Sequence, residues 1–372
     1  MTAPSSGFRV FATCNIGDAA VQLLRGRGYE VEVYPQASAP AKSVIIEKVR
    51  SGIDGLITTL RDPIDAEVFE AGRGTLKVVA QDAVGFDNIN REDANRARIP
   101  FTHTADVLTE ATAEFAFFIL GCVARKLYPS ERLVRENRWG AWHPFLPFLG
   151  DEVTGKTVGV VGLGRIGEAF AKKVVAMDVD LLCYDPVANA LPLILKLEQL
   201  METRFRLGFS KRHHSATQVS FAELLERSDF VSLHVPLLRP GEADTPTFHL
   251  MNEQTLRQMR REAYLINTSR GPVVDEAALA AAIKAGTIAG AALDVFEKEP
   301  LPPNSPLRDT AIEDRVRLFH HFASGGRQTR LSTDPNEGMA GRCAQALIDV
   351  LEGNYGGNPA AMPYVVNKEA FR

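Results

Sequence analysis

Three glycines, Gly162, Gly164 and Gly167, stand in G-x-G-x-x-G spacing within residues 156–185, KTVGVVGLGRIGEAFAKKVVAMDVDLLCYD. Each suits a different part of pyrophosphate binding. The first lets the chain turn tightly, and the second lets the backbone approach the phosphates. The third lets helix and strand pack closely, with the phosphate on the helix N-terminus. Asp185 follows at the distance where an acid accepts hydrogen bonds from an adenosine ribose. Glycine turns of this spacing also arise incidentally. Here an apolar run at 158–161 precedes them, a helical stretch follows to about Met177, and a second apolar run at 181–184 ends at Asp185. Together these complete one βαβ unit, and the reading is dinucleotide binding.

A second group of residues could act on a carboxylate and its neighbouring carbonyl. Arg270 lies in Thr268-Ser269-Arg270-Gly271-Pro272, directly after an apolar run. A guanidinium there can hold a carboxylate through two parallel hydrogen bonds. Asp294 ends IAGAALD, Glu299 follows in DVFEKEP, and His320 and His321 come after the next apolar run. A surface arginine and a structural histidine are the ordinary fates of such residues. Their placement on successive strand ends is what points to chemistry, because ligands of open α/β sheets bind at the carboxyl ends of strands. By the same rule the N–H groups of Val84 and Gly85, in QDAVGFDN, could face a small anion. Spacing alone makes that stretch a plain strand-to-helix turn.

The elements that must position these groups alternate. Residues 8–101 read as strands at 8–12, 30–34, 54–59 and 76–80 with helices between them. From residue 156 the alternation resumes, with strands at 158–161, 181–184, 230–233, 263–267, 288–294 and 316–319. Such alternation predicts parallel sheets with helices on both faces. Residues 108–125 form a helix that is apolar on nearly every side, with Thr109 as its cap, so it is expected to be buried from several directions. Residues 139–152, which hold both tryptophans, read as a segment wrapped over a surface. Residues 187–218 exceed what a βα connection needs and carry Arg204, Arg206, Lys211 and Arg212. They read as a basic loop. A helix at about 335–351 precedes a tail at 352–372.

The chain has 372 residues, room for two domains, and a formal net charge of −4. That charge offers no electrostatic case for nucleic acid or an anionic membrane. The longest mostly apolar run, 111–124, contains Glu114 and is too short to span a bilayer. Four scattered cysteines lack ligand spacing, so reduced thiols are expected and no metal site. The first residues, MTAPSSGFRV, show no secretory pattern, and a cytoplasmic home is expected.

The chain resembles the D-isomer-specific 2-hydroxyacid dehydrogenases. The resemblance rests on VGFDN at 84–88, VLTEATAEF at 107–115, GKTVGVVGLGRIG at 155–167 and SDFVSLHVPL at 228–237. It continues through YLINTSRGPVVDEAAL at 264–279, AGAALDVFEKEP at 289–300 and HFAS at 321–324. It implies an α/β protein of two doubly wound parallel-sheet domains. A Rossmann nucleotide-binding domain would span 108–324. A flavodoxin-like substrate domain would be built from both chain ends, 1–107 and 325–372. By this resemblance Arg270, Glu299 and His321 are catalytic, and Val84 and Gly85 join Arg270 in binding the substrate. Thr109, Arg165, Ile166, Asp185, His234, Pro236, Thr268 and Asp294 would line the cofactor beside Gly162, Gly164 and Gly167. The implied partner is a homodimer, and Trp142 would correspond to an aromatic that some members extend across it. His320 stands where the family usually has proline, the segment 187–218 is longer than usual, and so is the tail.

The chemistry implied is hydride transfer from a nicotinamide to a small 2-oxo acid of the glyoxylate or hydroxypyruvate class. His321 would donate the proton, Glu299 would steady the imidazolium, and Arg270 would anchor the carboxylate. NAD is the expected cofactor. NADP stays open, because the basic residues of 187–218 could fold over the adenosine and neutralise Asp185. A phosphoglycerate dehydrogenase-like enzyme and an NAD-sensing, corepressor-like scaffold remain alternative readings.

Overall fold

A computed structural model describes residues 7–144 and 148–372. The chain forms two compact units, one of Met1–Thr109 with Ser324–Arg372 and one of Glu110–Ala323. The divisions fall two residues later and one residue earlier than the sequence suggests.

The first unit holds strands β1 (Arg9–Ala12), β2 (Glu30–Val33), β3 (Gly55–Thr58), β4 (Val78–Gln81) and β5 (Phe101–Thr102). All pair in parallel in the order β2-β1-β3-β4-β5, the flavodoxin-like arrangement. Side chains of a strand alternate between faces, so one strand serves two cores. Val10 and Ala12 enter one core and Phe11 the other. The helix Met339–Leu351 completes the first core with Ala340, Ala344, Leu347 and Ile348. The C-terminal tail then covers the open edge of the sheet. Val366 N donates to Phe101 O at 2.9 Å, and Asn367 bonds both Phe101 N (3.0 Å) and Ile99 O (3.1 Å). Covering an edge in this way blocks pairing with other chains.

The second unit holds β6 (Thr157–Val161), β7 (Asp180–Tyr184), β8 (Ala216–Gln218), β9 (Phe230–Leu233), β10 (Tyr264–Asn267), β11 (Gly290–Leu293) and β12 (Val316–Leu318). Their order is β12-β11-β10-β9-β6-β7-β8, all parallel. Ile266 and Ala292 pack into the core of one face, Leu265 and Ala291 into that of the other. The reversal of strand order between β6 and β9 is the switch point at which doubly wound sheets bind ligands.

The stretch 187–218 is not the basic loop the sequence suggests. It contains the helix Leu191–Arg206 and the seventh strand, β8. Two of its charges are tied to the start of β7: Arg204 Nη2 donates to Asp178 Oδ1 at 3.0 Å and Arg212 Nη2 to Asp180 Oδ2 at 2.8 Å. Asp185 lies past the other end of that five-residue strand, roughly 16 Å along it at the usual rise.

The helix Thr109–Ala124 begins at Thr109, which is its first residue. It buries Ala113, Ala116, Ile119, Leu120 and Val123, while Phe118 is 58% exposed. Of the segment expected to wrap a surface, residues 145–147 lie outside the described residues; Trp139, Trp142 and Leu149 beside them are exposed. Among the described residues no helix is long and apolar enough to cross a membrane. All four cysteines are free thiols, Cys183 and Cys343 buried and the other two partly so.

Candidate active site

The glycine loop joins β6 to the helix Arg165–Val174. Gly162 has φ +91°, and a Cβ there would stand 2.6 Å from His234 O. At Gly167 a Cβ would meet Gly162 O at 1.9 Å, so only glycine lets this helix close on the loop. A Cβ on Gly164, by contrast, meets nothing within 4 Å. The loop is tight beneath and open above. The first turn of the helix has no carbonyls of its own for its leading N–H groups, which makes it an anion-binding end. Arg165 is exposed there, and Ile166 packs partly into the core below.

Asp185 closes the unit. Burial acts to raise its carboxyl, but three backbone donors overcome this and hold it below the ordinary value. These are Leu163 N (2.7 Å), Val187 N (2.8 Å) and Ala188 N (2.7 Å). The carboxylate is therefore ionised and fixed, and Oδ2, which accepts only Leu163 N, keeps acceptor capacity.

His234 directly follows β9, beside the loop. Burial pushes it down to about 3, so the ring is neutral. One nitrogen, Nε2, lies 2.9 Å from Ser232 Oγ; the other, Nδ1, is buried without a partner among the described residues. Thr268 Oγ1 is likewise buried and unpartnered. Pro236 is exposed, and its carbonyl accepts from Thr247 Oγ1 at 2.5 Å. An anion-binding helix end, a fixed acid and two open polar atoms on one edge of the sheet fit a dinucleotide.

The catalytic candidates come from the same edge. Asn267, fully buried at the end of β10, shapes the loop that follows. Its Oδ1 accepts from Ser269 N (3.0 Å) and Ser269 Oγ (2.7 Å), and its Nδ2 donates to Arg270 O (2.9 Å). Gly271 lets this loop nest against the next, since a Cβ there would lie 1.9 Å from the Phe296 carbonyl. Asp294 acts on the third loop. Its own carbonyl accepts His321 N at 2.8 Å, and its carboxylate takes Phe322 N (2.7 Å) and Ala323 N (2.8 Å). Burial pushes this carboxyl up. So held, His321 adopts φ +56°, in the left-handed region.

That conformation sets His321 Nδ1 2.8 Å from Glu299 Oε2. Burial acts to raise Glu299, and the His321 contact, the Phe296 N–H (3.0 Å) and nearby Arg270 together bring it below the ordinary value. Glu299 is thus an anion beside an imidazole. His320 is exposed and stacks on Phe322. Glu299 and His321 are in contact, and Arg270 is near enough for its charge to act on Glu299. Asn267 and Gly271 were missed as supports, although both sit inside a matched motif. In the other unit, the turn at Val84 and Gly85 is pinned by its neighbours. Gln81 Nε2 donates to Gly85 O (3.1 Å) and Asn88 Oδ1 (2.7 Å), and His103 Nδ1 lies 3.1 Å from Val84 O.

Residues 117–323 match the model of the D-isomer specific 2-hydroxyacid dehydrogenase, NAD binding domain. The chain is 41% identical to a glyoxylate reductase of Korarchaeum cryptofilum, over 98% of this chain and 97% of that one. The chain belongs to the D-isomer specific 2-hydroxyacid dehydrogenase family. A glyoxylate reductase of Thermofilum pendens is also 41% identical, over 90% of this chain and 86% of that one. Among solved structures, the TT0316 protein of Thermus thermophilus is 37% identical with a TM-score of 0.80, covering 96% of this chain and 100% of that chain. This 2-hydroxyacid dehydrogenase is therefore an NAD(P)-dependent oxidoreductase, and its two parallel sheets are those of the family.

Proposed function

We propose that this chain is a glyoxylate reductase, acting also on hydroxypyruvate, with NADH as the preferred hydride donor. The observation that carries the reading is the Glu299–His321 pair, 2.8 Å apart, with Arg270 on the adjoining loop. Arg270 binds the substrate carboxylate and draws charge from the neighbouring carbonyl. Glu299 holds Nδ1 of His321, which leaves Nε2 to give its proton to the carbonyl oxygen. The nicotinamide, when bound, supplies the hydride. Glyoxylate reductases at 41% identity over almost the whole chain support the substrate class. For the turn at Val84 and Gly85 we propose a carboxylate ligand as well. Asp185 supports NADH, because an ionised acid there accepts from the ribose hydroxyls and repels an added phosphate.

The test is a panel of glyoxylate, hydroxypyruvate, pyruvate and phosphohydroxypyruvate with NADH and NADPH. The proposal requires the highest kcat/KM with glyoxylate or hydroxypyruvate and NADH. Preference for the phosphorylated acid, or negligible turnover with tight NADH binding, overturns it.

A homodimer is proposed from exposed apolar side chains within one stretch of chain. Phe118, Leu127, Val134, Trp139, Trp142 and Leu149 are each at least 55% exposed in the single chain. Light scattering at micromolar concentration should report twice the 40.7 kDa chain mass; a monomer contradicts it.

A further inference from the structure

The second unit has a cavity of about 290 Å³ at the opposite edge of its sheet from the glycine loop. It lies at the amino-terminal ends of β10 and β11, where Tyr264 and Ala289 form part of the wall. Three cations line it: Lys126, Arg261 and Arg315. Among the described residues none of the three is in a salt bridge. The one acid in the wall, Asp314, pairs with Arg132 at 2.9 Å, but Arg132 is shared with Glu313 at 2.8 Å. The Tyr264 hydroxyl is engaged by Asp151 Oδ2 at 2.8 Å.

The ordinary role for such cations is to complement helix C-termini. Two helices do end here, Thr109–Ala124 near Val123 and Glu276–Ala285 at Gly286. A helix C-terminus carries about half a negative charge, so the two ends together balance roughly one cation. Asp314, only partly neutralised, offsets about one more, so about one positive charge remains unmatched around a space of roughly ten water volumes.

We propose that this cavity binds a small oxyanion, a metabolite bearing a carboxylate or phosphate group. The guanidiniums of Arg261 and Arg315 supply paired donors for oxyanions, and Lys126 adds a point charge. The site is distinct from the cofactor loop, which lies past the carboxyl ends of the strands. It uses none of the residues that act on the 2-oxo acid.

The experiment compares wild type with the double variant Arg261→Ala/Arg315→Ala. Both are saturated with NADH so that the glycine loop is filled. Thermal unfolding is followed while citrate, pyrophosphate or sodium chloride is titrated at matched ionic strength. The proposal requires a saturable rise in Tm with citrate or pyrophosphate in wild type, at least halved in the variant, and no such rise with chloride. The stronger of the two anions identifies carboxylate or phosphate as the preferred chemistry. The variant's kcat/KM for glyoxylate should stay within two-fold of wild type, which shows that it folds. Equal shifts in both proteins, or no saturable shift in wild type, overturn the proposal.

Discussion

His321 Nδ1 stands 2.8 Å from Glu299 Oε2, while Glu299 Oε1 accepts the Phe296 N–H at 3.0 Å. The glutamate is thus fixed by its own loop before it fixes the histidine. His320, one residue earlier, stacks on Phe322 and pairs with no carboxylate among the described residues. The doubled histidine of the sequence therefore separates into one member held by an acid and one exposed neighbour.

Replacing His321 with asparagine should lower kcat for glyoxylate by roughly 10²–10⁴-fold, the usual worth of a general acid. His320→Asn should cost less than about ten-fold. Steady-state kinetics of the two variants decide the matter; the reverse ranking would move the proton donor by one residue.

Cofactor choice should depend on Asp185 and not on the basic residues that follow. Asp185→Ser removes the acid proposed to read the ribose, and most of the NADH preference in kcat/KM should go with it. Arg212→Ala should leave the NADH/NADPH ratio unchanged, because Arg212 is tied to Asp180 at the far end of β7. A ratio that follows Arg212 and ignores Asp185 would reverse this account.

Asp82, in the first unit, makes stability depend on pH. Burial pushes its carboxyl from 3.8 up to about 7, against the pull of Arg330, and Oδ1 is buried without a partner among the described residues. Between those two values the folded chain keeps a proton that the unfolded chain has lost. Stability from this group therefore falls as pH rises through that window, and the full penalty is present above about 7. Asp82→Asn should match wild type near pH 4 and exceed it in Tm at pH 8. Equal Tm at pH 8 would show that the carboxyl titrates normally.

Much of the fold was legible because buried parallel strands read as apolar runs. Val158–Val161 and Leu265–Ile266 are of that kind, and Gly162 marks the tight turn between β6 and its helix. The edge strand β8 was not legible. Of its three residues only Ala216 is buried, so no apolar run marks it. The helix before it could have been found, since Leu193, Ile194, Leu197 and Met201 are its buried residues at helical spacing, with proline at its start. The basic residues of 187–218 instead suggested a loop, because the acidic partners of Arg204 and Arg212, Asp178 and Asp180, lie more than twenty residues away in sequence. The site was legible as residue types on strand ends. Asn267 and Gly271 were not, because their work is to hold loops together, which spacing does not reveal.

The most direct test of the central claim is Arg270→Ala, measured for both turnover and cofactor binding. A two-pronged carboxylate clamp should contribute on the order of 3 kcal/mol to the transition state, so kcat/KM for glyoxylate should fall by at least about 100-fold. NADH affinity should stay within a few-fold of wild type, since the clamp acts on the substrate alone. A near-normal kcat/KM would contradict the account, and so would an equal loss of NADH binding.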